Sequence, residues 1–160
     1  MFSLKLSENH NNKDLVEYKQ INTQHIQGFF EDNLFCECQY KEDEKLSILS
    51  WYGYIAENII IDAYINMGIF AKQNNWHVIK TLTNISKIEG SFHKTNEWLV
   101  KNYLPKMVER GFKYSAIVNS KDFFSILATE DQADLIDGLY VNEIFDNYEE
   151  AYQWIITQPI

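Results

Sequence analysis

The sequence predicts an α/β domain with a single mixed β-sheet of four to five strands, opened by an N-terminal hairpin and flanked by helices. Three observations carry that expectation. Two strand-like runs flank a charged turn at Lys41 to Glu44, helix-period and strand-like segments alternate after them, and the composition is 46% apolar and 15% aromatic. Parallel neighbours need crossover connections, so alternating elements after a hairpin imply a mixed sheet. The 160 residues suit one core, and so many apolar groups do not belong to a disordered chain.

The elements follow in order. Residues 1 to 25 hold Asn9, Asn11, Asn12, His10 and His25 among charges, with no sustained apolar period, and are expected to form a loosely ordered arm ahead of a single domain over 26–160. From Asn33, Leu34, Cys36, Cys38 and Tyr40 alternate with Phe35, Glu37 and Gln39, the period of a half-buried strand. Leu46 to Tyr52 is a second strand stopped by Gly53, which pairs back on the first as a hairpin. Ile59, Ile60, Ala63, Met67, Phe70 and Ala71 recur at helical spacing, interrupted by Gly68, where close packing is expected.

Trp76 to Thr83 reads as a third strand, with an exit loop from Asn84 through Ser91. A helix from about Lys94 to Arg110 buries Val100, Tyr103, Leu104 and Met107. Pro105 should kink it and Gly111 end it in the left-handed conformation. Tyr114 to Val118 is nearly continuous in apolar residues and is the candidate central strand. A broken helical region over Lys121 to Asp137, anchored by Phe123, Phe124, Leu127, Leu135 and Ile136, precedes a last strand at Tyr140 to Phe145. Asn147 followed by Glu150 is an Asx version of the capping box and starts a closing helix that packs through Tyr148, Ala151, Tyr152 and Ile155.

Charge and cysteine usage bound the partners. A net charge of -9 repels phosphate backbones, so no nucleic acid is expected. No apolar run reaches the roughly 20 residues of a membrane span, and Met1 to Leu6 lacks the apolar core of a secretory signal. Cys36 and Cys38 share one strand face, which suits two buried thiols better than a disulfide. A soluble protein of the reducing cytoplasm is the expectation.

Taken together, the hairpin ending Trp51-Tyr52-Gly53, the segment Lys87 to Phe92, Trp98 to Pro105, Gly111 to Val118 and Glu149 to Ile155 resemble the small bacterial STAS/SEC14-like proteins over residues 30 to 157. The resemblance implies a mixed sheet flanked by helices, similar to anti-sigma-factor antagonists and lipid-carrying SEC14 domains. Such folds host phospho-switched partner binding, lipid carriage and transporter regulation, and no reaction follows from them. The antagonists' aspartate-serine pair is missing here, because the loop after the third strand reads Thr83-Asn84-Ile85-Ser86.

Candidate sites are few. Ser91 before a helix suits a phosphate at free backbone amides or an ordinary N-cap. Ser86, with Asn84 and Glu89, belongs to the same possible phospho-switch or partner loop. His77, His93, Cys36 and Cys38 match no zinc spacing, so no metal or cofactor is expected. No Gly-x-Ser-x-Gly elbow or glycine-rich phosphate loop occurs, and Glu42-Asp43-Glu44 and Glu130-Asp131 read as solvated charge runs. Trp51, Tyr54, Trp98, Tyr103, Phe123 and Phe124 are the candidate lining of an apolar pocket or a dimer face, as well as ordinary core.

Three functions follow as expectations. The first is a non-enzymatic regulatory module acting through a protein partner or homodimer. The second is a carrier or sensor of a small apolar or lipid-like ligand, in a pocket of several hundred cubic ångströms between sheet and helices. The third, an enzyme, would require the Asn84 to His93 loop to converge with Ser120 or Asp122 across a cleft.

Overall fold

The computed structural model describes residues 15–120, 123–136 and 138–160, with backbone alone for 123–128. Among the described residues seven strands form one sheet and lie in it in chain order. They are β1 (Val16–Asn22), β2 (His25–Phe30), β3 (Asn33–Lys41), β4 (Leu46–Tyr54), β5 (Lys80–Glu89), β6 (Tyr114–Val118) and β7 (Val141–Phe145). The helices are α1 (Glu57–Gln73), α2 (His93–Trp98), a π-helical segment (Leu99–Tyr103), α3 (Leu104–Glu109), α4 (Phe123–Leu135) and α5 (Tyr148–Ile156). The α/β class and the single mixed sheet agree with expectation. The strand number does not, since seven replace four to five.

Of the two added strands, β1 lies where the sequence reads as an arm, and β2 runs from the last residue of that arm to Phe30, ahead of the first expected strand. β1 buries Val16 and exposes most of the rest, so no apolar period marks it, and β2 is only partly buried. Both are held by backbone pairing, β1 antiparallel to β2 and β2 antiparallel to β3, a bond that any side chain allows. Residues 1–14 of the expected arm lie outside the described residues.

β3 and β4 form the expected antiparallel hairpin, and β4, β5, β6 and β7 are then parallel neighbours in turn. In a sheet ordered as the chain runs, crossovers of one hand lay their helices on one face. Ile59, Ile60, Ala63, Met67 and Phe70 of α1 pack there on Cys36, Cys38, Leu49, Trp51, Ile85 and Ile117. α5, which follows the last strand, covers the opposite face, where Ala151 and Ile155 meet Leu46, Ile48, Leu82, Ala116 and Val118. As the capping pattern predicts, the Asn147 side chain accepts the Glu150 N–H at 2.9 Å. Tyr148, expected inside, is 39% exposed.

Two bulges decide which side chains reach the helix-covered face. Between Gly28 and Phe29 the β2–β3 register slips, so Phe35 and Cys36 are both buried. Strict alternation had placed Phe35 with Glu37 on the other side. A bulge leaves one residue unpaired and re-aims its side chain. The β4–β5 register slips between Ser50 and Tyr52, which brings both Ile85 and Ile88 inward.

β5 begins at Lys80 rather than Trp76, because Tyr40 grips the preceding segment. Its hydroxyl donates to His77 O at 2.9 Å and accepts the His77 N–H at 3.1 Å, and its ring stacks on Trp76 at 4.9 Å. The same strand runs on to Glu89, through the expected exit loop. β6 is buried as predicted, but it lies next to the last strand, and β4 is the middle one.

The expected helix over Lys94 to Arg110 is three consecutive pieces, and the π-helical turn ends two residues before Pro105. A residue without an N–H breaks the i to i−4 ladder, and a wider turn absorbs the break. Gly111, at φ +107, closes the run as expected, with Gly111 N–H donating to Val108 O and Phe112 N–H to Met107 O at 3.0 Å each. Ile136 is buried and Leu135 is 47% exposed, reversing half of that expected anchor. No described helix is long and apolar enough to cross a membrane.

Candidate ligand cavity between sheet and helices

On the helix-covered face the sheet changes character from β4 onward. Ser47 of β4, Thr81 of β5 and Ser115 of β6 stand opposite one another in register, and one step along the strands Leu49, Thr83 and Ile117 do the same. The serine and threonine side chains among them do not fill the layer. A cavity of about 120 Å³ remains above them, roofed by Tyr64 and Met67 of α1, by Leu99 and Tyr103 of the π-helical segment, and by Leu104 and Met107 of α3. None of its lining residues among those described carries a charged side chain. An engineered apolar cavity on the order of 150 Å³ holds benzene, so this space suits a single ring rather than an acyl chain. The expectation of several hundred cubic ångströms is thus too large, because Trp51, Tyr64 and Tyr103 occupy much of the layer themselves.

The rings form a continuous chain. Phe35 lies 6.3 Å from Trp51, Trp51 is 5.4 Å from Tyr64, Tyr64 is 5.3 Å from Tyr103, and Tyr103 is 5.8 Å from Trp98. Of the residues nominated from sequence, Trp51 and Tyr103 line the cavity, and Trp98 packs behind Tyr103. Tyr54 does not belong: it is 78% exposed at the end of β4 and borders a separate groove with Phe30 and Leu34. The side chains of Phe123 and Phe124 lie outside the described residues. Tyr64 is one of the lining rings that sequence reading missed, with Trp76, Phe92, Phe112 and Tyr140, although it stands four residues after Ile60 and three before Met67, on the buried stripe of α1. Gly68 faces Tyr103, whose Cε2 would lie 3.6 Å from an added Cβ, an ordinary contact with the ring.

Burial pushes the Tyr64 and Tyr103 phenols far above their ordinary range, so both stay neutral. The Cys38 thiol, also a lining residue, is pushed up to about 11 by burial and lies 3.3 Å from Ser47 Oγ. Cys36 is likewise raised by burial, and both cysteines are free, as expected for buried thiols. Thr95 of α2 is 2% exposed, lines the cavity, and its Oγ1 has no hydrogen-bond partner among the described residues.

The serine loop has a different geometry from the expected one. Asn84 and Ser86 lie within β5 at its bulge, where Asn84 Oδ1 accepts the Ser86 N–H at 3.1 Å and the Ser86 hydroxyl at 2.7 Å. Glu89 is the last residue of the same strand. Ser91 is exposed but is not the N-cap of α2, a position held by Phe92 without a side-chain bond. Instead Glu57 of α1 offers Oε1 to the Lys94 and Thr95 N–H groups at 2.8 and 3.2 Å. A carboxylate thus bonds two of the backbone amides at the start of α2.

Ser120 Oγ donates to Ile88 O at 3.0 Å, which ties β6 to β5, and Asp122 lies outside the described residues. His93 Nδ1 sits 2.6 Å from Asp131 Oδ2, an exposed link between α2 and α4. No group of three or more His, Cys, Asp or Glu among the described residues could hold a metal ion. Comparison with protein-family models, with curated proteins and with solved structures found no match.

Proposed function

We propose that the chain is a non-enzymatic binding module, a carrier or sensor whose ligand is a small apolar molecule held between the sheet and helices α1 to α3. The observation that carries this reading is the cavity of about 120 Å³ with an uncharged lining. Apolar pockets closed by rings, with few polar groups, are the usual form of small-molecule sites. The resemblance to STAS/SEC14-like domains supports it further, since carriage of apolar ligands is one of the roles such folds host. The size of the space favours a single ring over the lipid that this resemblance also allows.

Native mass spectrometry of the protein purified from its own host tests the reading. A native mass above the denatured chain by a small molecule is expected. A cavity that stays empty, together with no thermal shift across a library of ring-sized compounds, would remove the proposal.

A second reading, a regulatory module that pairs with another copy of itself, is favoured by a separate observation. Beside edge strand β7 the side chains of Leu139, Val141, Ile144 and Tyr148 are 41%, 48%, 37% and 39% exposed. Apolar groups gathered at an open strand edge favour association. Sedimentation at micromolar concentration distinguishes the two: a doubled mass supports pairing, and Val141→Lys would return it to a monomer.

A further inference from the structure

The cavity is apolar in its roof and polar in specific places, and those places restrict the ligand more narrowly than size does. Thr95 provides the most informative contact. Thr95 is a lining residue of the cavity, and its hydroxyl is shielded from solvent and lacks a partner among the described residues. A buried hydroxyl left unmade destabilises a fold by about 1–3 kcal/mol relative to a paired one. The Thr95 backbone N–H, by contrast, is satisfied by Glu57 Oε1 at 3.2 Å.

Charge sets the second restriction. A carboxylate or phosphate brought into this space would find no lysine, arginine or histidine among the described lining residues, and burying an unpaired ion is strongly unfavourable. The tyrosines and Cys38 have no cationic form, so they supply no counter-charge to an anion. On the sheet side, Thr81 and Ser115 offer hydroxyls at neighbouring register positions.

Resting on the carrier reading above, we infer that the ligand is a neutral, ring-sized molecule bearing a hydroxyl or similar hydrogen-bonding group, its ring against Tyr64 and Tyr103 and its polar group on Thr95.

Three probes test this with the full chain: phenol, benzene and benzoate, each titrated by ligand-observed NMR into the wild type, Thr95→Val and Thr95→Ser. Phenol is expected to bind about tenfold more tightly than benzene, and benzoate to show no binding. Thr95→Val should bring phenol down to the level of benzene while leaving benzene unchanged, and Thr95→Ser should keep the preference. Equal binding of phenol and benzene to the wild type, equal loss of both in Thr95→Val, or benzoate binding as tightly as phenol would overturn the inference while leaving the cavity a binding site. If none of the three binds, the carrier reading falls and takes the inference with it.

Discussion

The helix-covered face of the sheet is packed in two ways. Toward β1–β3 it is filled: Phe35 and Cys36 are both turned in by the bulge, Gly28 opposite them leaves room for the Cys36 sulfur, and Tyr18 donates to the buried Asp62 Oδ2 at 2.7 Å. Toward β4–β6 the same face presents Ser47, Thr81, Thr83 and Ser115, and a cavity stands over them. The difference lies in side-chain volume. Both halves share α1 as a roof, and the roof fails to meet the floor where Ser47, Thr81, Thr83 and Ser115 stand among the larger residues Leu49, Trp51 and Ile117. Close-packed interiors leave few voids of this size.

Mutations that treat the two halves alike sharpen this contrast. The largest effect is expected from Phe35→Ala, which removes a 4%-exposed ring from the filled half and should lower unfolding stability by about 3–5 kcal/mol in a urea titration. Next comes Gly28→Ala. An added Cβ would stand 2.7 Å from Cys36 Sγ and 3.1 Å from the Phe35 ring, so overpacking should cost about 1–3 kcal/mol. Removing Cys36 bulk in the double variant Gly28→Ala/Cys36→Ala should recover part of that loss, and no recovery would mean that the filled half is not limited by volume.

In the cavity half the sign reverses. Thr95→Val replaces a buried hydroxyl that has no protein partner among the described residues with a methyl of the same shape, so it should leave stability unchanged or raise it by up to about 1 kcal/mol. A loss comparable to that of Phe35→Ala would show that the cavity is not loosely packed. Stability gained where ligand affinity is lost is the trade expected of a binding site.

The smallest effect belongs to the sheet face that no crossover helix covers, at Glu37. Burial pushes that carboxyl up, but donors from Gln27, His25 and Tyr52, at 3.2, 3.2 and 3.0 Å, outweigh it and hold the group below its ordinary range. A carboxylate with a lowered folded pKa stabilises above its unfolded pKa, and that contribution is lost as pH falls through the folded value. Wild type should therefore exceed Glu37→Gln in stability by under about 1 kcal/mol at neutral pH, because the site is partly exposed. The gap should close below about pH 4. A gap that is independent of pH would assign the effect to shape rather than charge.

The legible parts of this molecule are those written in local periodicity and local chemistry. The β3–β4 hairpin, α1, β6, the Gly111 terminus and the Asn147 cap each follow from residues within a few positions of one another. Their physics is equally local: alternation, helical spacing, a residue that tolerates positive φ, and a side chain that bonds the amide three residues on.

What the sequence hid has a different cause. β1 and β2 are sheet members by backbone pairing to a partner, a property that leaves little trace in side-chain pattern. Phe35 faces inward because a bulge breaks the alternation that predicted otherwise, and Asn84 and Ser86 belong to a strand because β4 extends far enough to pair with it. A small part of the cavity was visible, as Trp51 and Tyr103 were nominated from their ring content alone. Thr81, Ser115 and Thr95 were not, since a threonine or serine in a strand or helix looks the same whether it meets solvent, a neighbour or an empty space.

Composition and periodicity by themselves determined an acidic α/β chain with a sheet, its covering helices and their order. Only the tertiary structure decided that Ser47, Thr81 and Ser115 come into register beneath Tyr64 and Tyr103. A cavity is a difference between the volume enclosed and the volume filled, and it exists only once distant segments are placed against one another.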